Sequence, residues 1–408
     1  MPWPMRILYP VTWARPGREA SHAQTVATAA ALARAGHEVT LMLPRGDADP
    51  AVTADDLRSR FGVAGEFRVV QRDSRWAGEP VLRTVMWMLQ VFRDPAIDAA
   101  QVLYSRVPAM FGAGQVSPLP FATDHYRPWS DVYRWLRPFF RLTARHRDCL
   151  GVVIHSHYAA QGYRRAGVPP ERILVAHNGF DPPAERLDRA EARRRLGLPP
   201  GRPIALYAGR INGEKGLDAL LALADLRPHV LFVLVGSEGD GEVERAAARR
   251  ANVRVVPWVE PVALPAWLFA ADVLVIPPSR APLERFGNCI LPLKLFAYLA
   301  AGRPILAPIA PDTAELLEHG ANAWLVPPDH PEAAAAALDR LLGDPALAAQ
   351  LSANAARLSE GLTWDRRAQA IGEFLQSRLA QRSEYTSTVS PTRIASTGAA
   401  HAPSSGGT

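Results

Sequence analysis

The chain has 408 residues, of which 48% are hydrophobic and 21% charged, and its formal net charge is +6. That length exceeds what one core usually organises, so two domains are expected, and the composition excludes disordered, fibrous and disulfide-stapled classes. The basic excess is almost all arginine, which suits an anionic partner such as a nucleotide diphosphate or acidic lipid and equally fits a genome that writes Arg for Lys.

Cys149 and Cys289 are the two cysteines, with no CxxC spacing, so neither a disulfide framework nor a zinc site is indicated. No apolar run reaches transmembrane length and the N-terminus lacks a signal-peptide core, which predicts a cytoplasmic protein. Any membrane contact would be peripheral, at the inner face.

Residues 6–11 predict an opening strand, followed by a loop containing Gly17, an Ala-rich helix over 20–35 stopped by Gly36, and a second strand over 37–43. Strand, helix, strand within forty residues predicts an α/β fold with a parallel sheet. Strands are expected at 67–70 and 102–104 with a helix over 80–92 between them, then at 121–125, 151–156 and 173–176. Residues 130–146 predict one helix carrying Trp135, Phe139 and Phe140 with Arg134, Arg137, Arg141 and Arg145. Such a helix suits either an interfacial element on acidic lipid or a core-facing aromatic stripe with solvated arginines.

A charged helix over 188–196 opens the second half. Strands follow at 203–208, 230–235, 253–256, 273–276, 304–307 and 323–326, with helices to about Leu226, from Pro292 to Ala301, and two more over 331–358. The expected organisation is two Rossmann-like domains facing across a cleft. Their boundaries are 1–184 and 185–362, followed by a helix over 363–380 and a disordered tail over 381–408.

The loop Gly209-Arg210-Ile211-Asn212-Gly213-Glu214-Lys215-Gly216 joins a strand to a helix. Its glycines allow close backbone approach, helix amides point outward, and two cations supplement them, which is the chemistry of a phosphate or diphosphate site. A glycine-bearing loop without a ligand is the plain alternative. No Walker loop or GxGxxG fingerprint is present, which argues against a P-loop NTPase and a nicotinamide dehydrogenase. Asp47-Ala48-Asp49 has metal-chelating spacing but reads as a solvated loop, so no metal is predicted. The stretch Asp272–Ala307 is strand, polar loop with Glu284, helix, Gly302 and strand, so Glu284 is expected at the ligand-binding end of a parallel sheet.

The order of these segments resembles the glycosyltransferase group-one family of retaining, GT-B-fold enzymes. The residues that carry the resemblance are the glycine-containing opening loop, ILVAHNGFDP at 173–182, GRINGEKG at 209–216, Val235-Gly236-Ser237 with Asp272–Ala307, and Glu315-Leu316-Leu317 through Val326-Pro327-Pro328. The resemblance implies a nucleotide diphosphate sugar as donor substrate, no cofactor, and a glycan, lipid-linked or small-molecule acceptor. It implies no nucleic-acid partner. Arg210 and Lys215 match the pair that grips the donor diphosphate, with Gly209 and Gly216 beside them. Glu284, with Phe286, Gly287 and Asn288, resembles the sugar-facing motif, and Lys294 belongs to the Pro-x-Lys variant of the following helix. His125 resembles a histidine near sugar and acceptor, and Tyr104-Ser105-Arg106 resembles a motif shaping the acceptor cleft.

One departure stands out. The family's second glutamate, a ribose ligand, is Pro292 by one count and Ala297 by the other. Losing a bidentate acceptor costs about 1–3 kcal/mol of binding unless another group replaces it, and Glu315 is one candidate replacement. The alternatives to a transferase are therefore a non-catalytic binding protein of the same fold or a GT-B-fold epimerase.

Overall fold

The computed structural model describes residues 3–46, 49–76, 81–183, 185–286, 291–311 and 313–389. The first domain runs β1 (Arg6–Pro10), α1 (Ala20–Arg34), β2 (Glu38–Arg45), α2 (Ala54–Phe61), β3 (Arg68–Asp73), α3 (Val81–Val91), α4 (Ala96–Ala99) and β4 (Val102–Ser105). It continues through α5 (Met110–Ala113), β5 (Phe121–His125), α6 (Trp129–Val132), α7 (Arg137–Ala144), β6 (Cys149–Ile154), α8 (His157–Arg165) and β7 (Ile173–Val175). The second domain opens with α9 (Arg189–Leu196), β8 (Ile204–Ala208), α10 (Leu217–Leu226), β9 (Leu231–Ser237), α11 (Glu242–Ala247), β10 (Val253–Pro257) and α12 (Leu264–Ala270). It closes with β11 (Val273–Val275), α13 (Ala281–Phe286), α14 (Leu293–Ala301), β12 (Ile305–Pro308), β13 (Trp324–Val326), α15 (Pro331–Gly343), α16 (Pro345–Ser359) and α17 (Trp364–Val389).

Short β-branched runs such as Leu231–Ser237 and Cys149–Ile154 are buried along their whole length, as strands covered by helices on both faces must be. They form two parallel sheets, ordered β3-β2-β1-β4-β5-β6-β7 and β10-β9-β8-β11-β12-β13. Strand order reverses between β1 and β4 in one sheet and between β8 and β11 in the other. A crevice opens at such a switch point because the flanking loops diverge to opposite faces. The loops after β1 and β8 carry Gly17 and Gly209–Gly216, and those after β4 and β11 carry Arg106 and Glu284.

Three expectations need correction. The single helix expected over 130–146 is α6, a 3-10 turn at Arg134–Leu136, and α7. Pro138 cannot donate the backbone bond a continuous helix requires, so the helix restarts there. The polar loop carrying Glu284 is the short helix α13. Finally, α17 continues to Val389, so residues 381–389 are helical where a tail was expected, and residues from 390 onward lie outside the described part. Asp47 and Ala48 also lie outside it, while Asp49 pairs with Arg15.

The helix α17 leaves the second domain and packs on the first. Trp364, Ala368, Ile371 and Leu375 join the core formed by Met5, Ile7, Val153 and the inner face of α1. Beside them the fully buried Arg367 guanidinium meets Asp124 at 2.8 Å and donates to the Ala176 carbonyl. The same Asp124 oxygen accepts from Tyr104 at 3.1 Å and Gln24 at 3.2 Å. Burial pushes the Asp124 carboxyl up, but Arg367, Arg106 and the hydrogen bonds from Arg367 and Tyr104 together outweigh it and hold the group below the ordinary carboxylate range. Replacing Arg367 by Met strands a buried carboxylate and should destabilise the first domain by about 3–5 kcal/mol, read by denaturant unfolding. The double variant Arg367→Met, Asp124→Leu should recover most of that loss; no recovery would mean the pair is not what holds the helix.

Candidate functional site

At the switch point of the second sheet, β8 ends in Gly209 and the chain turns through Asn212, whose side chain accepts the Glu214 amide at 3.2 Å. Gly216 adopts φ 66°, and a Cβ there would stand 2.5 Å from that of Ser279, so only glycine lets this loop lie against the β11 loop. The helix α10 starts directly after it with no side chain capping its first amides. α13, bearing the exposed Glu284, packs against the Gly213–Lys215 turn.

The helix α14 completes this wall. Tyr298 accepts the Ala208 amide at 2.7 Å and so ties α14 to the end of β8. One turn earlier on the same face, Lys294 sets its ammonium 3.7 Å from the Tyr207 ring centre, beside the Gly209 α-carbon. Tyr207 in turn donates to the Arg210 carbonyl at 2.9 Å. Burial, then the nearby Lys215 cation, pushes Lys294 far below the usual lysine range. Arg210 lies at 3.6 Å from Glu238 in the β9 loop, which also lines a cavity of about 350 Å³ with Ile211, Asn212 and Gly213. Lys294 and Lys215 thus lie close enough to act on each other, beside Gly209 and the uncapped start of α10 and with Arg210 next to Gly209 in the chain, an arrangement suited to a compact polyanion. The Phe286 side chain, Gly287 and Asn288 lie outside the described residues.

Ala297 takes a different direction. It is buried in a crevice with Phe180, Pro183, Pro265, Leu268 and Phe269. Nor does Glu315 serve as a replacement ligand. Its carboxylate accepts the His157 and Tyr158 amides at 2.8 and 3.2 Å and meets His177 Nε2 at 2.6 Å, all in the first domain. With Ser156 accepting the Ala159 amide, every amide of the first turn of α8 through Ala159 is satisfied.

Across the cleft, His125 ends β5 and is enclosed, with 1% exposure, and is not a surface loop residue. Its Nδ1 meets the Tyr163 hydroxyl at 2.5 Å and its Nε2 has no partner. Burial pushes its pKa down to about 3, so the ring is neutral at physiological pH. Arg106 donates to the Ser21 carbonyl at 3.0 Å, and Ser105 to that of Pro10 at 3.1 Å, so the Tyr104-Ser105-Arg106 segment braces the opening loop. His155 accepts the Leu291 amide at 3.1 Å, a second direct link between the domains. Arg18 from the opening loop stacks 4.5 Å from the Trp258 ring centre, a third. The sequence shows His155 and His157 as polar residues at a strand end, weaker site candidates, but carries no local signal for the crossing role of Glu315.

These links carry a pH dependence with a definite sign. Burial raises the Glu315 carboxyl, but His177 and the two amides outweigh it and hold the group at about 2, against an ordinary 4.5. Its links are therefore complete above pH 4.5 and are lost as pH falls towards 2. Burial, aided by Arg367, pushes His155 down to about 4 from 6.5, and protonation would remove the acceptor for Leu291. That link is complete above pH 6.5 and weakens as pH falls through 4. Glu315→Ala should speed hydrogen exchange of the His157 and Tyr158 amides by about 5- to 100-fold, since each loses a charged acceptor. Exchange unchanged at both amides would remove Glu315 as the link.

Two family descriptions match the chain, Glycosyltransferase Family 4 over residues 23–183 and Glycosyl transferases group 1 over residues 188–358. A curated relative, the D-inositol 3-phosphate glycosyltransferase of Streptomyces scabiei (strain 87.22), is 32% identical over 266 residues, which is 60% of this chain and 55% of that protein. The chain spans about half the length of the curated relatives it matches. In fold it is similar to sucrose-phosphate synthase from Thermosynechococcus elongatus, with a TM-score of 0.72 and 19% identity, covering 92% of this chain and 100% of that one. Anabaena HepE, in its complex with UDP-glucose, superposes with a TM-score of 0.66 at 20% identity over 91% of this chain and 100% of that one. The second sheet with its switch point lies within the group 1 match, β2 to β7 of the first sheet lie within the Family 4 match, and the chain belongs to the group-1 glycosyltransferases of the GT-B fold.

Proposed function

We propose that this protein transfers a sugar, with retention of anomeric configuration and without a metal ion, from a nucleotide diphosphate sugar to an acceptor hydroxyl in glycan, polysaccharide or glycolipid assembly. The observation that carries the proposal is the gathering of Arg210, Lys215 and Lys294 around the open N-terminus of α10 at the switch point. The relative from Streptomyces scabiei, a glycosyltransferase by name, supports it.

In this reading the three cations and the α10 amides bind the diphosphate and stabilise the charge that grows on it as the sugar leaves. Arg210 exchanges Glu238 for phosphate. Glu284 orients the sugar, and His125, neutral and enclosed in the first domain with Nε2 unpartnered, meets it through a hydrogen bond once the groups covering the ring give way. The links at Glu315, His155 and Arg18 hold the two walls at reacting distance.

A second reading has a specific observation behind it. Ala297 stands where the family places a ribose-binding glutamate and faces an apolar crevice, which favours a protein that binds a nucleotide but no longer turns it over. A thermal-shift screen of nucleotide sugars followed by a transfer assay, with product configuration read by NMR, separates the two. Stabilisation with turnover lost in Glu284→Ala supports the transferase; stabilisation without turnover supports the binding protein; no stabilisation by any nucleotide removes both. Arg210→Ala and Lys215→Ala should each weaken nucleotide binding by about 1.5–3 kcal/mol, roughly 10- to 100-fold. Because Lys294 starts with a depressed pKa that a diphosphate would raise, binding should take up a proton. Calorimetry in buffers of different ionisation enthalpy reads that uptake, and it should vanish in Lys294→Met.

A further inference from the structure

The break at Pro138 leaves an unusual surface beside the first-domain wall of the cleft. On α7 the inward side chains are Phe140, Thr143 and Ala144, packed with Phe111 and Tyr163, whereas Pro138, Arg141, Leu142 and Arg145 point outward at helical spacing. Trp135, in the turn before α7, is 77% exposed and Leu142 is 63% exposed. Val132 and Tyr133 are exposed beside them.

The charge on this face is one-sided. Between Tyr126 and Arg147 there are six arginines and a single acid, Asp131, and that acid is occupied by Arg137 and Arg165. Arg134, Arg141 and Arg145 are exposed and make no salt bridge among the described residues. Exposed Trp and Leu ringed by arginine, without competing carboxylates, match a bilayer interface of phosphate headgroups over acyl chains. A row of rings, Tyr126, Trp129 and Tyr133, with centroid spacings of 5.6 and 6.0 Å, runs from the residue after His125 out to this face.

We propose that the exposed face of residues 126–147, centred on Trp135 and Leu142, docks this protein on an anionic lipid bilayer. Trp135 and Leu142 enter the interface while Arg134, Arg141 and Arg145 meet lipid phosphates. The rim of the cleft on the His125 side then lies against the membrane, where a lipid-carried acceptor would be presented. Docking itself does not depend on the transferase reading.

The test is co-sedimentation of the full chain with vesicles of phosphatidylglycerol and phosphatidylcholine in equal parts, compared with phosphatidylcholine alone. Binding should favour the anionic vesicles and fall as salt is raised. The triple variant Arg134→Gln, Arg141→Gln, Arg145→Gln should lose about fivefold per arginine, about 100-fold in all. Trp135→Ala with Leu142→Ser should lose at least about tenfold on the same vesicles. An unchanged unfolding midpoint confirms that each variant folds, so a failure here is separate from any failure of nucleotide binding or transfer. Equal binding to neutral and anionic vesicles, no binding to either, or variants that sediment like the wild type would each overturn the proposal. So would self-association abolished by Trp135→Ala with Leu142→Ser in a protein that ignores vesicles.

Discussion

The buried pair between Arg367 and Asp124 is the constraint on which the two-domain arrangement depends. A guanidinium with no solvent exposure is tolerated only where its charge and its donors are answered, and here the answers come from Asp124 and the Ala176 carbonyl. Asp124 immediately precedes His125, so the helix returning from the second domain is anchored beneath the first-domain side of the cleft. Three further groups, Tyr104, Gln24 and Arg106, converge on or act on the same carboxylate. The position of the β5 end is thus determined from α1, from β4 and its following loop, and from the last helix together.

On the opposite wall the organising principle is electrostatic. Arg210 and Lys215 share one loop and Lys294 joins them from α14 much later in the chain; burial and then Lys215 hold Lys294 well below the usual lysine range over the Tyr207 ring, and Glu238 faces Arg210. That wall is restrained by Tyr298, which bonds the β8 end and keeps Lys294 aimed at Gly209. The two walls meet through hydrogen bonds whose donors are backbone amides, at His157, Tyr158 and Leu291. Such bonds depend both on the placement of whole elements, which sets the amides, and on the Glu315 and His155 rotamers, which set the acceptors.

Much of this was legible in the sequence. Apolar runs of three to seven residues flanked by glycine and proline marked the strands, and their alternation with helices marked the parallel sheets. The glycine loop at 209–216 announced its own chemistry because all its parts lie within eight residues. What was not legible depends on distant partners. Glu315 meets residues 138 to 158 positions away and Asp124 meets a residue 243 positions away, and no periodicity encodes such pairings. Arg367 looked like one more arginine on a polar helix. Pro138 did carry a local signal, since a proline inside a helical pattern interrupts it, and its effect was to separate Trp135 from the inward face that holds Phe140.

The two places where the chain passes between domains lie side by side. Phe180 donates to the Leu362 carbonyl at 3.1 Å, and a Cβ on Gly179 would collide with the Trp364 backbone at 2.3 Å. Paired crossings of this kind act as a single axle, since a twist about any other direction would shear one segment against the other. Distance from that axle then decides how far each contact travels. His177 lies three residues from Phe180, so rotation about that axle would displace it little. Arg18 follows β1, four strand spacings or about 19 Å from β7, the strand that leads into Phe180, so its stack on Trp258 would part before the Glu315 contacts. A hinge so placed would let the Arg18 side open while the side bearing Glu315 stays engaged.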